Sequence, residues 1–160
     1  MNSGIFLLLG SNQGKPLGKL AEAAERIEKD AGRIVARSSV YKTAAWGVED
    51  QPDFYNQVLQ IESAWSPEEL MKKLLKIEQA MGRVRAEKWG PRIIDIDVLF
   101  YGQQVISTAS LTVPHPGIPD RKFALLPLAQ IAPGLVHPVL GKTIATLLRE
   151  CTDALSVEKA

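Results

Sequence analysis

Apolar residues along this chain fall into short runs and helical stripes. Ile5-Phe6-Leu7-Leu8-Leu9 is an unbroken run ended by Gly10, which predicts a buried strand. Leu17, Leu20, Ala21, Ala24 and Ile27 then recur at helical spacing, and Gly32 punctuates the stripe, so a helix is predicted there. Residues 34–41 carry Val35, Val40 and Tyr41 without Gly or Pro and read as a strand. A polar, aromatic stretch over 43–53 reads as a loop, and the partial alternation over 58–62 as another strand. Ser66-Pro67-Glu68-Glu69 is the clearest helix start: Ser66 can cap, Pro67 suits the first helical position, and Glu69 completes a capping box. Leu70, Leu74, Ile77 and Met81 mark one face of that helix, and Gly82 is a natural stop. Residues 93–101 read as a strand, Gly102-Gln103 as a turn into a strand at 104–106, and 123–131 and 143–150 as short helices.

The first six elements run β-α-β-β-α-β. That order predicts an α+β, ferredoxin-like sandwich: an antiparallel sheet with helices packed on one face, followed by a C-terminal hairpin and helices. At 160 residues the chain reads as one domain, residues 1–160. Many unrelated activities use such a layout, so the order settles no function.

Charge and composition narrow the classes. Nineteen basic residues against 18 acidic ones give a net charge of +1, which argues against a general nucleic-acid or membrane partner and makes any basic site local. One cysteine, Cys151, excludes an intrachain disulfide, and with only two histidines there is no Cys/His zinc cluster. A metal here would be a hard cation on oxygen ligands. The apolar run at 5–9 is too short for a signal peptide or a membrane span, and the N-terminus lacks a basic segment, so the expected location is cytoplasmic.

The candidate chemistry sits on the strand at 93–101. Residues two apart in a strand share a face, so Asp95 and Asp97 lie opposite Ile94, Ile96 and Val98, about 6–7 Å apart at their Cα atoms. Aspartate is depleted in strands, and two on one face repel. A divalent cation would offset that repulsion, as would salt bridges, and spacing alone leaves both open. Arg83, Arg85, Lys88 and Arg92 cluster just upstream, and Trp89-Gly90-Pro91 is a stiff aromatic turn into the strand. Carboxylates with arginines close by suit a polyphosphate, whose metal and guanidinium partners spread transition-state charge. Residues 82–88 have no hydrophobic periodicity and read as a loop, either ordinary and exposed or a lid.

Other motifs fail. Gly10-Ser11-Asn12-Gln13-Gly14-Lys15-Pro16 is one residue short of a phosphate-binding P-loop, and Pro16 replaces its Ser/Thr, so Gly10, Ser11 and Asn12 read as a strand-to-helix turn, with a polar substrate contact from Asn12 a lesser reading. His115 between Pro114 and Pro116, and His137 before Pro138, read from local sequence as polar loop residues. Two rival classes stand beside phosphate transfer: a metal-dependent phosphohydrolase, and a ferredoxin-like RNA-binding module. Near-neutral charge, 6% aromatic content and the lack of an RNP-type stretch argue against the latter.

The run Lys88-Trp89-Gly90-Pro91-Arg92-Ile93-Ile94-Asp95-Ile96-Asp97-Val98-Leu99 closely resembles the signature of the 6-hydroxymethyl-7,8-dihydropterin pyrophosphokinases of folate synthesis. Leu9-Gly10-Ser11-Asn12, Asp50-Gln51-Pro52-Asp53-Phe54-Tyr55-Asn56, Gly82-Arg83-Val84-Arg85 and Leu111-Thr112-Val113-Pro114-His115 look like that family too, in its order. The resemblance implies a monomeric enzyme moving pyrophosphate from ATP to the pterin hydroxymethyl group and leaving AMP. It implies a pair of Mg2+ ions on Asp95 and Asp97, with Arg83, Arg85 and Arg92 in the catalytic set. By position, Thr43, Trp46, Phe54, Asn56, Trp89 and Phe123 would line the pterin pocket, and Glu78, Thr112, His115 and Arg121 would surround ATP. The chain departs from the family pattern at Ala44-Ala45, at Phe54 in place of a frequent tyrosine, at Ser110 in place of a basic residue, and at Pro116 in place of a tyrosine.

Overall fold

A computed structural model describes residues 2–43, 52–82 and 93–160. The elements run β1 (Asn2–Ser11), α1 (Pro16–Asp30), β2 (Arg33–Arg37), β3 (Tyr41–Thr43), β4 (Phe54–Ser63), α2 (Pro67–Ala80), β5 (Asp95–Tyr101), β6 (Ile106–Ser107), β7 (Thr112–Val113), a 3-10 turn (Ile118–Asp120), α3 (Lys122–Ile131), α4 (Ile144–Glu150) and β8 (Val157–Lys159). The main sheet has the order β5-β1-β4-β3-β8, with β2 also on β4, and every pairing in it is antiparallel. The chain is thus a mixed α/β fold with an antiparallel sheet and four helices among the described residues.

The unbroken apolar run of β1 is explained by burial on both faces. Ile5, Leu7 and Leu9 enter a core with Leu20 and Ile27 of α1 and Leu70, Leu74 and Ile77 of α2. Phe6 and Leu8 enter a second core with Val58, Leu99, Phe100, Leu125 and Leu128 of α3, and Ile144 and Leu147 of α4. Helices therefore cover both faces of the sheet, where the sequence suggested one. A register shift between Phe6 and Leu7 against β5 makes Leu99 an extra residue, so both Leu99 and Phe100 turn into the second core.

The start of α2 follows the sequence signals. Glu69 N–H donates to Ser66 Oγ at 3.2 Å, while the Ser66 hydroxyl donates to Glu69 Oε1 at 2.9 Å. Elsewhere local pattern was overridden. The strand expected over 34–41 is split into β2 and β3, because Val58 N–H donates to Ser38 Oγ (2.9 Å) and Ser38 N–H donates to the Val58 carbonyl (2.9 Å), so a hydroxyl interrupts the ladder. The turn at Gly102 forms as expected, but the strand after it is Ile106–Ser107, and it pairs with β7 rather than returning along β5. β8 was not foreseen: three residues near the C-terminus pair with β3, supported by a Lys42–Glu158 ion pair at 3.6 Å.

Candidate functional site

Register places the candidate residues. Asp95 is opposite Gly10, Gly10 opposite Asn56, and Asn56 opposite Tyr41, so one row crosses four strands. Asp97 stands opposite Leu8, which is opposite Val58, and Thr43 opposite Phe54. Alternation puts Asp95, Asp97, Gly10, Asn56, Phe54, Tyr41 and Thr43 on the same face as Phe6, Leu8 and Val58 of the second core. The apolar surface stops at Leu8 and Val58, and the next row is polar. With strands about 4.8 Å apart, Asp95 and Asn56 are roughly 10 Å from one another.

The described pterin-side candidates on the strands, Thr43, Phe54 and Asn56, lie at one end of this face. Asn56 is buried and its Nδ2 donates to the Leu9 carbonyl at 3.3 Å. A Cβ on Gly10 would lie 2.6 Å from that Nδ2, so only glycine lets the amide cross the strand there. Thr43 is 3% exposed, and its Oγ1 is buried without a hydrogen-bond partner among the described residues. An orphaned buried hydroxyl is costly unless something completes it, so it points to a polar ligand. Phe123, on the first turn of α3, packs against the second core with one side.

Asp95 and Asp97 are half-buried on β5, and the buried Ile96 between them faces α2. Among the described residues no cluster of three or more His, Cys, Asp or Glu side chains is assembled for a metal. Two carboxylates suffice for magnesium, which keeps several water or phosphate ligands, and an all-oxygen donor set suits it.

Glu78 stands apart from the others. It lies on α2, on the opposite side of the sheet, is 4% exposed, and its Oε2 accepts the Ile96 N–H at 2.7 Å. β5 is the edge of the sheet, so this carboxylate satisfies a backbone donor that has no neighbouring strand, midway between the two aspartates. Glu78→Gln is expected to weaken a charge-assisted bond and lower stability by about 1–2 kcal/mol, measured by urea unfolding.

On the nucleotide-side candidates, Thr112 is exposed on β7. His115 N–H donates to the Leu99 carbonyl at 3.0 Å, which ties that loop to β5. His115 Nδ1 accepts the Gly117 N–H at 3.0 Å, and the Arg121 guanidinium lies 5.9 Å from the centre of the Phe123 ring. Burial, and then the charge of Arg121, push the His115 pKa below 6.5, and burial lowers that of His137. Both rings therefore take up protons less readily in the folded chain than in the unfolded one, which binds the protons first. Stability is expected to be full above about pH 6.5 and to fall as pH drops through the folded values, and His137→Gln should flatten that slope in thermal melts.

Trp46, Arg83, Arg85, Trp89 and Arg92 lie outside the described residues. Local sequence missed the roles of Ser11 and Asn12. The Ser11 hydroxyl donates to the Ile93 carbonyl at 2.5 Å, and Asn12 Nδ2 donates to the Pro52 carbonyl at 3.3 Å. Both side chains are buried, which for polar residues just after an apolar strand was the available signal.

Comparison with known proteins bears on this arrangement. The sequence model of the 7,8-dihydro-6-hydroxymethylpterin-pyrophosphokinase (HPPK) family matches residues 6–133. The 2-amino-4-hydroxy-6-hydroxymethyldihydropteridine pyrophosphokinase of Synechocystis is 45% identical over 152 residues, covering 93% of this chain and 77% of that protein. The protein of the same name from Methylorubrum extorquens is 44% identical over 155 residues and covers 96% of each. The folic acid synthesis protein fol1 of Pneumocystis carinii is 37% identical over 152 residues; this chain spans 20% of its length. Plasmodium falciparum HPPK-DHPS, solved with pteroate, superposes with a TM-score of 0.74 at 17% identity, over 91% of this chain and 42% of that one, a likeness of fold. With the family's model matching most of its length and relatives above 40% identity matching over more than nine-tenths of it, this chain belongs to the 7,8-dihydro-6-hydroxymethylpterin-pyrophosphokinase family.

Proposed function

We propose that this chain transfers diphosphate from ATP to the hydroxymethyl group of 6-hydroxymethyl-7,8-dihydropterin, giving AMP and the pterin diphosphate in folate biosynthesis. The family membership supports a diphosphokinase, and neither rival reading, the phosphohydrolase or the RNA-binding module, gains support from any relative. The observation that carries the reading is one face of the sheet: the carboxylate pair on β5, the buried Asn56 about 10 Å from Asp95 across β1, and the orphaned Thr43 hydroxyl one strand further on β3. That span suits a flat ring whose side-chain hydroxyl must reach a metal-bound phosphate chain.

In this reading Thr43, Trp46, Phe54, Asn56, Trp89 and Phe123 hold the pterin. Asn56 offers both donors and an acceptor to the ring edge, and Phe54 and Phe123 cover its faces. Thr112, His115 and Arg121 hold ATP, and Glu78 serves the ATP side indirectly by fixing β5 beneath it. Asp95 and Asp97 would hold a pair of magnesium ions, which when bound offset the charge of the β- and γ-phosphate oxygens. Arg83, Arg85 and Arg92 neutralise the remaining charge. The pterin hydroxyl oxygen forms a bond to the β-phosphorus while the bond from that phosphorus to the α,β-bridging oxygen breaks. AMP departs with the electron pair, and the hydroxyl proton is lost to solvent. Such a transition state needs alignment and charge neutralisation more than a strong base.

We read the β5-β1-β4-β3 order, with its two helical crossovers, as ferredoxin-like, and the chain as a single domain over residues 1–160, acting as a cytoplasmic monomer. Among the described residues no helix is long and apolar enough to cross a membrane. The test is AMP formation from ATP and magnesium with and without the hydroxymethyl-dihydropterin. Pterin-dependent AMP is expected; well-folded protein that makes none would overturn the reading.

A further inference from the structure

Gly117 is the residue just before the 3-10 turn Ile118–Asp120, with φ −82° and ψ −6°. That is the ordinary right-handed region, open to any residue, so the backbone does not require glycine. The surroundings do. A Cβ built there would lie 2.6 Å from Arg121 Nε, 2.7 Å from its Cζ and 3.0 Å from its Cδ. The arginine side chain therefore lies flat on the Gly117 backbone, in space that any other residue would fill. The same residue's N–H donates to His115 Nδ1 at 3.0 Å. With Nδ1 accepting, the proton of the neutral ring sits on Nε2, which is left as a donor.

We propose that Gly117 is a positioning residue of the nucleotide site: its missing side chain seats the Arg121 guanidinium, and its N–H orients the His115 ring, so that two donors are presented together to one anionic phosphate. This rests on the reading that places His115 and Arg121 at ATP. Among the described residues no carboxylate forms an ion pair with Arg121, so its charge is available to a ligand anion. A bulkier residue at 117 would push aside only the far end of a flexible side chain, which moves Arg121 without straining the turn.

Calorimetric binding of α,β-methylene-ATP with magnesium to the wild type, Gly117→Ala, Arg121→Ala and the double variant tests this. Gly117→Ala is expected to raise Kd about tenfold, the scale of a misplaced charged hydrogen bond, while its Tm stays level or rises because alanine suits this backbone. The double variant should bind no more weakly than Arg121→Ala alone, an equality that a merely structural role would not give. Wild-type affinity in Gly117→Ala, with Arg121→Ala weakened, overturns the inference and leaves the site reading standing. Additive losses in the double variant overturn it as well, since Gly117 would then act by another route. Unchanged affinity in Arg121→Ala removes Arg121 from the nucleotide site, and both ideas fall together.

Discussion

Asp97→Ala is expected to lower kcat by on the order of 10³-fold or more while the fold survives. The two carboxylates sit on one face of an edge strand, and Asp97 faces Leu8 at the border of the apolar core. Losing one leaves a site that can still meet a cation, but with half of its fixed negative charge and no second anchor for the phosphate chain. The fold should survive the change, because aspartate is a poor strand residue. Steady-state AMP formation at saturating magnesium, read beside a thermal melt, separates the two effects. Near-normal kcat would show that Asp97 does not serve the reaction. A collapsed melt would assign the pair a structural role.

The second large effect belongs to Asn56. Its amide is buried beside Gly10 and opposite Tyr41, so it is held by a glycine that leaves room for it and by a bond to the Leu9 carbonyl. In the proposed reading, Asn56→Ala takes from the pterin ring edge its paired donor and acceptor and leaves buried polar groups unsatisfied on both sides. That predicts a fall of about 10²-fold in kcat/KM for the pterin at saturating ATP. Binding of α,β-methylene-ATP should stay near wild type, since Asn56 is roughly two strand spacings from the aspartates. A loss confined to ATP binding would move Asn56 to the other substrate.

What the sequence disclosed, and what it hid, follows from the range of the interactions. The run Ile5 to Leu9 announced a buried strand because every residue in it carries the signal. Ser66-Pro67-Glu68-Glu69 announced a helix start because capping is settled within four residues. Asp95 and Asp97 shared a face by strand geometry alone. The rest depends on partners far along the chain. The split of β2 from β3 turns on Ser38 meeting Val58, and β8 exists because Val157–Lys159 finds β3. Gly10 looked like a turn residue until Asn56 was placed across from it. Glu78 looked like a nucleotide contact by family position, yet its carboxylate meets the Ile96 N–H from the helical side. Gly117 carried no local sign at all, because the group that needs its bare backbone is Arg121. The aspartate pair and the strand that bears it were legible; the struts that hold them were not.

The proposed reaction moves an intact diphosphate from ATP to the pterin. Incubation with magnesium, hydroxymethyl-dihydropterin and ATP labelled on the γ-phosphate tests it directly. The label is expected in the pterin diphosphate, with AMP formed in equal amount and without label. Label in free phosphate, or in a pterin monophosphate alongside ADP, would contradict it.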